Sequence, residues 1–308
     1  RNWAFDINNQ LFGSFDGAVN QGVYTNRDLN SDLFLQFNQQ ISDFFSLSAI
    51  VGHNYFDTKY VSQQTNGFTL AASDFYHISN ASDIQGFETI NRKKLMGLYG
   101  TVDLNFGDYL FLNLTGRNDW SSALPEGDND FQPYSASLGW AFTEMLGLQN
   151  NPILPYGKLR LSYGKVGNDA PIYSTTNYFN SAFNGGDGFI SGIQYPSFGL
   201  NAFERSTQLG NNQLLPESTT TFEVGGEFKF FRGRVGLDVT YYDSESRDQV
   251  IPVQISSVTG FTSVIQNAGR VTNKGWELVL GVTPVRSQNF TWDIEANWTT
   301  YENIVEEL

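Results

Sequence analysis

Apolar and polar residues alternate one for one over long stretches of this chain, the period of a strand with one face hidden from water. From Phe44 the sequence reads FFSLSAIVGHNY. Phe45, Leu47, Ala49 and Val51 share one face, and Ser46, Ser48, Gly52 and Asn54 sit mainly on the other. Leu95 to Phe106 repeats the pattern, with Met96, Leu98, Val102, Leu104 and Phe106 set against Tyr99, Thr101, Asp103 and Asn105. Tyr109 to Trp120 does the same with Leu110, Leu112 and Leu114 against Asn113, Thr115 and Arg117. Further strands are predicted at Asp32 to Ser42, Gln132 to Thr143, Tyr156 to Gly167, Thr219 to Phe231, Arg234 to Ser246, Val264 to Thr283 and Phe290 to Tyr301. A weak one is predicted around Trp3, Phe5 and Ile7. The fold class is all-β and antiparallel, with about ten or eleven strands.

The apolar faces carry no Asp, Glu, Lys or Arg until the strands end. A soluble sandwich also hides one face, but it places more Lys and Arg on its outer faces than are found here. A lipid-facing wall excludes them near the bilayer midplane, where a basic residue costs roughly 2 to 4 kcal/mol. Tilted membrane strands need about 9 to 11 residues, which suits these segments better than the 5 or 6 or so of soluble strands. The connections alternate in length, the pattern of short periplasmic turns and long extracellular loops in a transmembrane β-barrel. Ser42 to Phe44, Gly107-Asp108, Arg232-Gly233 and Pro284 to Asn289 are short. Lys59 to Arg92, Asn168 to Ser218 and Arg247 to Ser263 are long, with Ser121 to Phe131 and Glu144 to Pro155 intermediate. Phe45, Phe106, Tyr109, Phe142, Phe228, Phe230, Phe290 and Trp292 cluster by the short turns. Tyr55, Trp120, Tyr134, Tyr163, Tyr241, Trp298 and Tyr301 lie towards the long loops. Two interfacial aromatic belts are expected.

Composition narrows the chemistry. Over 308 residues there are 32 Asp+Glu against 18 Lys+Arg, a formal net charge of −14. That balance argues against a phosphate-binding surface and against nucleic acid as a partner. Cysteine is absent and His53 and His77 are the only imidazoles, so disulfides, thiol nucleophiles and histidine-ligated metals drop out. No apolar run approaches the roughly 20 residues of a helical span. Phosphate-cradling, nucleophile-elbow and zincin motifs are missing, which points away from an enzyme.

Several segments together resemble one known family. They are LTGRNDWSSALP (Leu114 to Pro125), SASLGWAFTE (Ser135 to Glu144), KLRLSYGKVGNDA from Lys158, LPES (Leu215 to Ser218) leading into FEVGG, LDVTYYD (Leu237 to Asp243) and NAGRVTNKGWELVL (Asn267 to Leu280). In these the sequence is similar to the SusC/RagA-type TonB-linked outer-membrane transporters, over nearly the whole chain from about Asp32. The resemblance implies a barrel of about 22 strands filled by an N-terminal plug. It also implies a SusD-like surface lipoprotein as a lid, coupling to the TonB complex, and contact with outer-membrane lipid. On that reading residues 1–308 are part of one transmembrane β-barrel domain, with the plug, the TonB box and the C-terminal strands absent from this chain. The function implied is import of a large nutrient across the bacterial outer membrane, an oligosaccharide more than an oligopeptide. A barrel enzyme with a rim site and a soluble glycan-binding β-sandwich are the alternatives.

Three sets of residues are candidates for contact with solute. Asp103, Arg117, Lys158, Arg160, Glu223, Glu227, Lys229, Asp238, Glu277, Asp293 and Glu295 alternate with the apolar faces and would line a lumen. Arg160 and Lys158 are expected to pair across strands with Glu223 and Glu227. The loop from Asn168 to Ser218 carries Tyr173, Tyr178, Phe179, Phe183, Phe189, Tyr195 and Phe198 among Asn and Gly, a mix suited to stacking on sugar rings or gripping peptides. Glu126, Asp128 and Asp130 in EGDND could hold Ca2+ through oxygen ligands, although they lack the full spacing of a calcium loop. No other cofactor is expected. Arg117 to Trp120 and Asn273 to Trp276 read as architecture, with Arg117 able to pair with Asp119.

Overall fold

The structure, a computed structural model, describes residues 2–5, 17–72, 74–184, 193–197 and 199–307. Its first half runs β1 (Asn2–Phe5), β2 (Ala18–Ser42), β3 (Phe45–Leu70), β4 (Ala81–Phe106), β5 (Leu110–Ser121), β6 (Asp130–Phe131), β7 (Tyr134–Trp140), helix α1 (Phe142–Met145) and β8 (Tyr156–Asn168). A long loop follows with five short strands: β9 (Phe179–Ser181), β10 (Phe183–Asn184), β11 (Ile193–Gln194), β12 (Phe203–Arg205) and β13 (Gln208–Leu209). The chain then completes β14 (Glu217–Phe230), β15 (Val235–Gln254), β16 (Ser263–Arg286) and β17 (Thr291–Glu307).

One sheet of thirteen strands holds the chain together, in the order β1-β2-β3-β4-β5-β7-β8-β14-β15-β16, with β17 on β16 and the short β6 and β13 at one end. All its long neighbours are antiparallel, and the sheet does not close on itself. Register shows why the faces differ. Leu47, Leu104, Leu112, Leu138, Leu161, Val224, Tyr241 and Trp276 stand opposite one another in a single row across eight strands. The next position along each strand gives Ser48, Asp103, Asn113, Ser137, Ser162, Glu223 and Tyr242 on the other face. A slip of one residue anywhere would turn apolar side chains to the polar side. On the apolar face Leu33 and Leu35 are 72% and 74% exposed, uncovered by the described residues, as a lipid-facing wall requires.

The aromatic belts form at both ends of this band. Near the short turns Phe45 stacks on Phe106 with ring centroids 4.9 Å apart, and Phe142 meets Phe228 at 6.4 Å. Towards the loops Tyr134 meets Tyr163 at 6.3 Å and Tyr241 meets Trp276 at 4.9 Å. Tyr301 lies opposite Gly275, on the polar face, and so is outside the belt.

The structure corrects the expected loop boundaries. Lys59 to Arg92 is not a loop: the β3–β4 ladder runs unbroken from Phe45↔Phe106 to Phe68↔Asp83, and only residues 71–80 form the turn. Strand β2 likewise begins at Ala18 rather than Asp32, and β15 and β16 continue to Gln254 and from Ser263. Beyond Asp57 both faces turn polar, so the alternation fades although the backbone pairing persists. At 26 residues β3 is about 85 Å long, more than twice what a bilayer needs. The three strands β2, β3 and β4 therefore rise as an arm above the membrane.

Candidate functional site

The polar face is built by alternation, and every predicted lumen-facing residue lies on it. Asp103, Arg117, Arg160, Glu223, Glu227, Asp238, Glu277, Asp293 and Glu295 share that face by register, as do Lys158 and Lys229. A hollow of about 510 Å³ opens there, lined by Asp103, Asn113, Lys158, Arg160, Glu223 and Glu277 among others.

Most of the charges on this face are engaged with neighbours. Arg160 donates to both carboxylate oxygens of Asp238, at 2.9 and 2.6 Å, and to Thr240 Oγ1 at 3.2 Å. This differs from the expected pairing with Glu223 and Glu227. The residue opposite Arg160 on β14 is Gly225, and a Cβ there would sit 3.2 Å from the guanidinium. The absent side chain lets Arg160 reach over β14 to β15. Lys158 lies over the Phe111 ring at 5.4 Å, and Lys229 approaches Glu227 at 3.6 Å. Glu223 accepts from Ser162 at 3.2 Å, Asp103 from Asn113 at 2.6 Å and Asp293 from Thr283 at 2.5 Å. Arg117 pairs with Asp119 as anticipated, at 2.6 and 2.7 Å, over Gly97, where a Cβ would lie 2.4 Å from both side chains. Charge-assisted pairs of this kind, bidentate at Arg160–Asp238, fix a polar wall.

The second candidate region is the loop after β8. Asp169 is 8% exposed and accepts from Lys93 at 2.6 Å and from the Ser121 hydroxyl. It pins the loop's first turn to β4 and β5. Leu124, Ala170, Leu214, Val250 and Ile265 form a small apolar core beside it, with Phe131 packed against them. From Ala81 to Lys94 the edge of β4 that faces β5 has no strand partner among the described residues, since β5 pairs only with Leu95 to Phe106. The Tyr173 hydroxyl docks on that edge, donating to Ile90 O at 3.1 Å and accepting from Arg92 N at 3.3 Å. Between loop and edge is a hollow of about 740 Å³ lined by residues 86–91 and by Ile172, Tyr173, Tyr178, Phe179, Pro196 and Phe203.

Three of the seven predicted loop aromatics, Tyr173, Tyr178 and Phe179, therefore come together there. Phe179 is 68% exposed and Tyr178 42%. Tyr195 lies outside the hollow's lining, and Phe183 is in the β10–β11 pair. Phe189 and Phe198 lie outside the described residues. Phe203 was not anticipated, although it is an exposed aromatic of the same loop; the β9–β12 pairing brings it beside Ser181.

The acidic loop does not form a cation cage. Asp130 is drawn into β6 opposite Trp120, and Asp128 is held in a turn by its N–H to Pro125 O at 3.2 Å. Among the described residues no three acidic or imidazole side chains converge as a metal ion would require, so Glu126, Asp128 and Asp130 stay apart.

Outside the membrane band, Arg92 donates to Asp57 through Nε at 3.0 Å and Nη2 at 2.6 Å. That hydrogen bonding holds the Asp57 carboxyl below the usual carboxylate range, aided by the charges of Lys94 and Arg27 and opposed by desolvation.

Comparison with known proteins places this geometry. Residues 1–306 match the family model described as TonB dependent receptor-like, beta-barrel. TonB-dependent receptor P26 of Formosa agariphila is 28% identical over 312 residues, covering 97% of this chain and 30% of that protein. TonB-dependent receptor SusC of Bacteroides thetaiotaomicron is 28% identical over 228 residues, covering 70% of this chain and 21% of that protein. Among solved structures, the RagAB peptide transporter superposes with a TM-score of 0.84 at 18% identity, over 95% of this chain and 31% of the other, a likeness of fold. The chain thus spans less than a third of the length of these relatives.

Proposed function

This chain belongs to the TonB dependent receptor-like β-barrel family, an outer-membrane family of receptors and transporters rather than enzymes, and on that premise we propose the role of its parts. It supplies about half of the wall of an importer that carries a large nutrient across the outer membrane, an oligosaccharide in preference to an oligopeptide. Residues 1–308 form one section of a single barrel domain. A SusD-like surface lipoprotein closes the extracellular mouth, and the TonB complex acts through an N-terminal plug region. The polar face with Asp103, Arg117, Arg160, Glu223, Glu227, Asp238, Glu277, Asp293 and Glu295 lines the lumen. Three ion pairs, Arg117–Asp119, Arg160–Asp238 and Lys229–Glu227, serve the wall, and the remaining carboxylates leave the face that solute meets acidic.

The observation that carries the reading is the hollow between the β4 edge and the loop. Exposed Tyr178, Phe179 and Phe203 stand there beside Asn91 and Asn180, aromatic faces with amide donors and acceptors, which is what pyranose rings and their hydroxyls require. A second reading, oligopeptide, is favoured by one feature: the β4 edge from Ala81 to Thr89, short of the Tyr173 and Ser122 contacts, could add an extended peptide by backbone hydrogen bonding. Calorimetry on the full-length transporter with its lipoprotein separates the two. Binding of oligosaccharides that falls at least about tenfold in Tyr178→Ala/Phe179→Ala supports the first reading. Saturable binding of peptides alone, unaffected by that pair of substitutions, overturns it.

A further inference from the structure

A row of cations crosses the outer surface of the arm. Arg27 stands directly opposite Lys59 on β3, and Lys59 directly opposite Arg92 on β4. One step nearer the membrane Asp57 faces Lys94. These positions continue the apolar face by alternation: Leu29 shares the Asp57–Lys94 row, and Tyr55 and Met96 come just below it. Four of the chain's 18 basic residues therefore meet on one lipid-side patch, although the chain as a whole carries −14.

Asp57 is the patch's one carboxylate, and it is already taken. Its side chain is 6% exposed, bound to Arg92 at 2.6 Å with Arg27 at 3.9 Å. Lys59 and Lys94 make no ion pair among the described residues. Like charges directly opposite on neighbouring strands repel, so about three positive charges are left facing outward without a counterion. On the same face of β15 and β16 two cations are matched: Lys274 holds Asp243 at 2.9 Å and Arg247 pairs with Glu245. Lys165 on β8 also points outward without an ion pair among the described residues, but it stands alone, whereas four cations meet on the arm.

Its height identifies what could balance it. The Asp57–Lys94 row lies two residues beyond Tyr55 and Met96, and the Arg27–Lys59–Arg92 row four, about 7 and 13 Å along tilted strands. Those distances fall at and just above the headgroup layer, within reach of long side chains that lay their stems on apolar surface and extend their charge to the interface. We propose that Arg27, Lys59, Arg92 and Lys94 form an outward binding site for the phosphate of an outer-leaflet lipid headgroup. The overall acidity that speaks against phosphate binding averages over this local exception.

The test uses the full-length transporter in nanodiscs of zwitterionic phosphatidylcholine doped with bisphosphorylated lipid A or with its dephosphorylated form, with retained lipid counted by native mass spectrometry. Wild type should retain the phosphorylated lipid. Arg27→Gln/Lys59→Gln should weaken retention by about thirty-fold, from two lost interfacial charges. Arg27→Lys/Lys59→Arg, which keeps the charge, should retain it, and so should Lys165→Gln, which removes an outward cation elsewhere. Migration of each variant as a folded barrel on a cold gel separates lost binding from lost structure. Equal retention by wild type and the Gln pair, or equal binding of the dephosphorylated lipid, overturns the site. Displacement of the lipid by millimolar inorganic phosphate overturns its assignment to a lipid headgroup.

Discussion

Asn267 on β16 grips both ends of the Leu215 peptide: its Nδ2 donates to Leu215 O at 2.7 Å, and its Oδ1 accepts from Leu215 N at 2.8 Å. The same Nδ2 also donates to Asp248 O at 2.8 Å. Two residues on, Glu217 accepts from Val250 N at 2.8 Å and from Asn168 Nδ2 at 2.9 Å. The far end of the long loop is thus sewn to β15, β16 and its own beginning. LPES and NAG, far apart in sequence, meet as the two halves of one clasp.

Replacing Asn267 by Ala should open this clasp while leaving the sheet intact. The unpaired Leu215 N–H and C=O would cost about 1 to 3 kcal/mol of local stability. Hydrogen exchange at Leu215 should rise on the order of tenfold or more, with strands β14 to β16 still protected. Exchange rising equally through β15 would show that Asn267 supports the barrel rather than the loop.

Charge placement tests which face meets lipid. Leu112→Arg or Ile294→Arg puts a cation into the apolar band, at a cost of roughly 2 to 4 kcal/mol near the midplane, and should block assembly in lipid vesicles. Asn113→Arg points to the polar face, beside Asp103, and should assemble at the wild-type yield. Heat-modifiable gel migration reads the difference directly. Equal assembly of all three would reverse the assignment of faces.

Across the polar face, Arg160 and Asp238 should be coupled although β14 runs between them. Both side chains are about a third exposed, so screening limits the coupling to about 1 kcal/mol. A double-mutant cycle with Arg160→Met and Asp238→Leu in urea unfolding from vesicles measures it. Gly225→Val should remove the coupling too, by putting a side chain in the guanidinium's path.

The sequence makes the faces legible because lipid imposes a simple rule, and rows such as Leu104, Leu112 and Leu138 obey it. It hides the arm for the same reason. From Tyr60 to Leu70 both faces of β3 meet water or loops, so no contrast remains to reveal a strand that only its partners define. Arg160 finds its partner two strands away, where nearest-strand pairing does not look, because Gly225 leaves the path open. In the acidic EGDND segment three carboxylates close in sequence stand on different elements, with Asp130 in β6 opposite Trp120. The Arg27–Lys59–Arg92 row is invisible by its nature, being assembled from three strands by register alone.

Tyr173→Phe isolates how the loop is held over the β4 edge. Only the hydroxyl is lost, and with it the bonds to Ile90 O and Arg92 N, while the ring keeps its place in the hollow's wall. A single hydrogen bond of this kind contributes about 1 kcal/mol net, so the Arg92 amide should exchange roughly fivefold faster. Asp169, bonded to Lys93 and Ser121, should still anchor the loop's first turn. Protection at Arg92 unchanged from wild type would mean that the edge is covered without Tyr173. The hollow would then owe its shape to the β9–β12 pair alone.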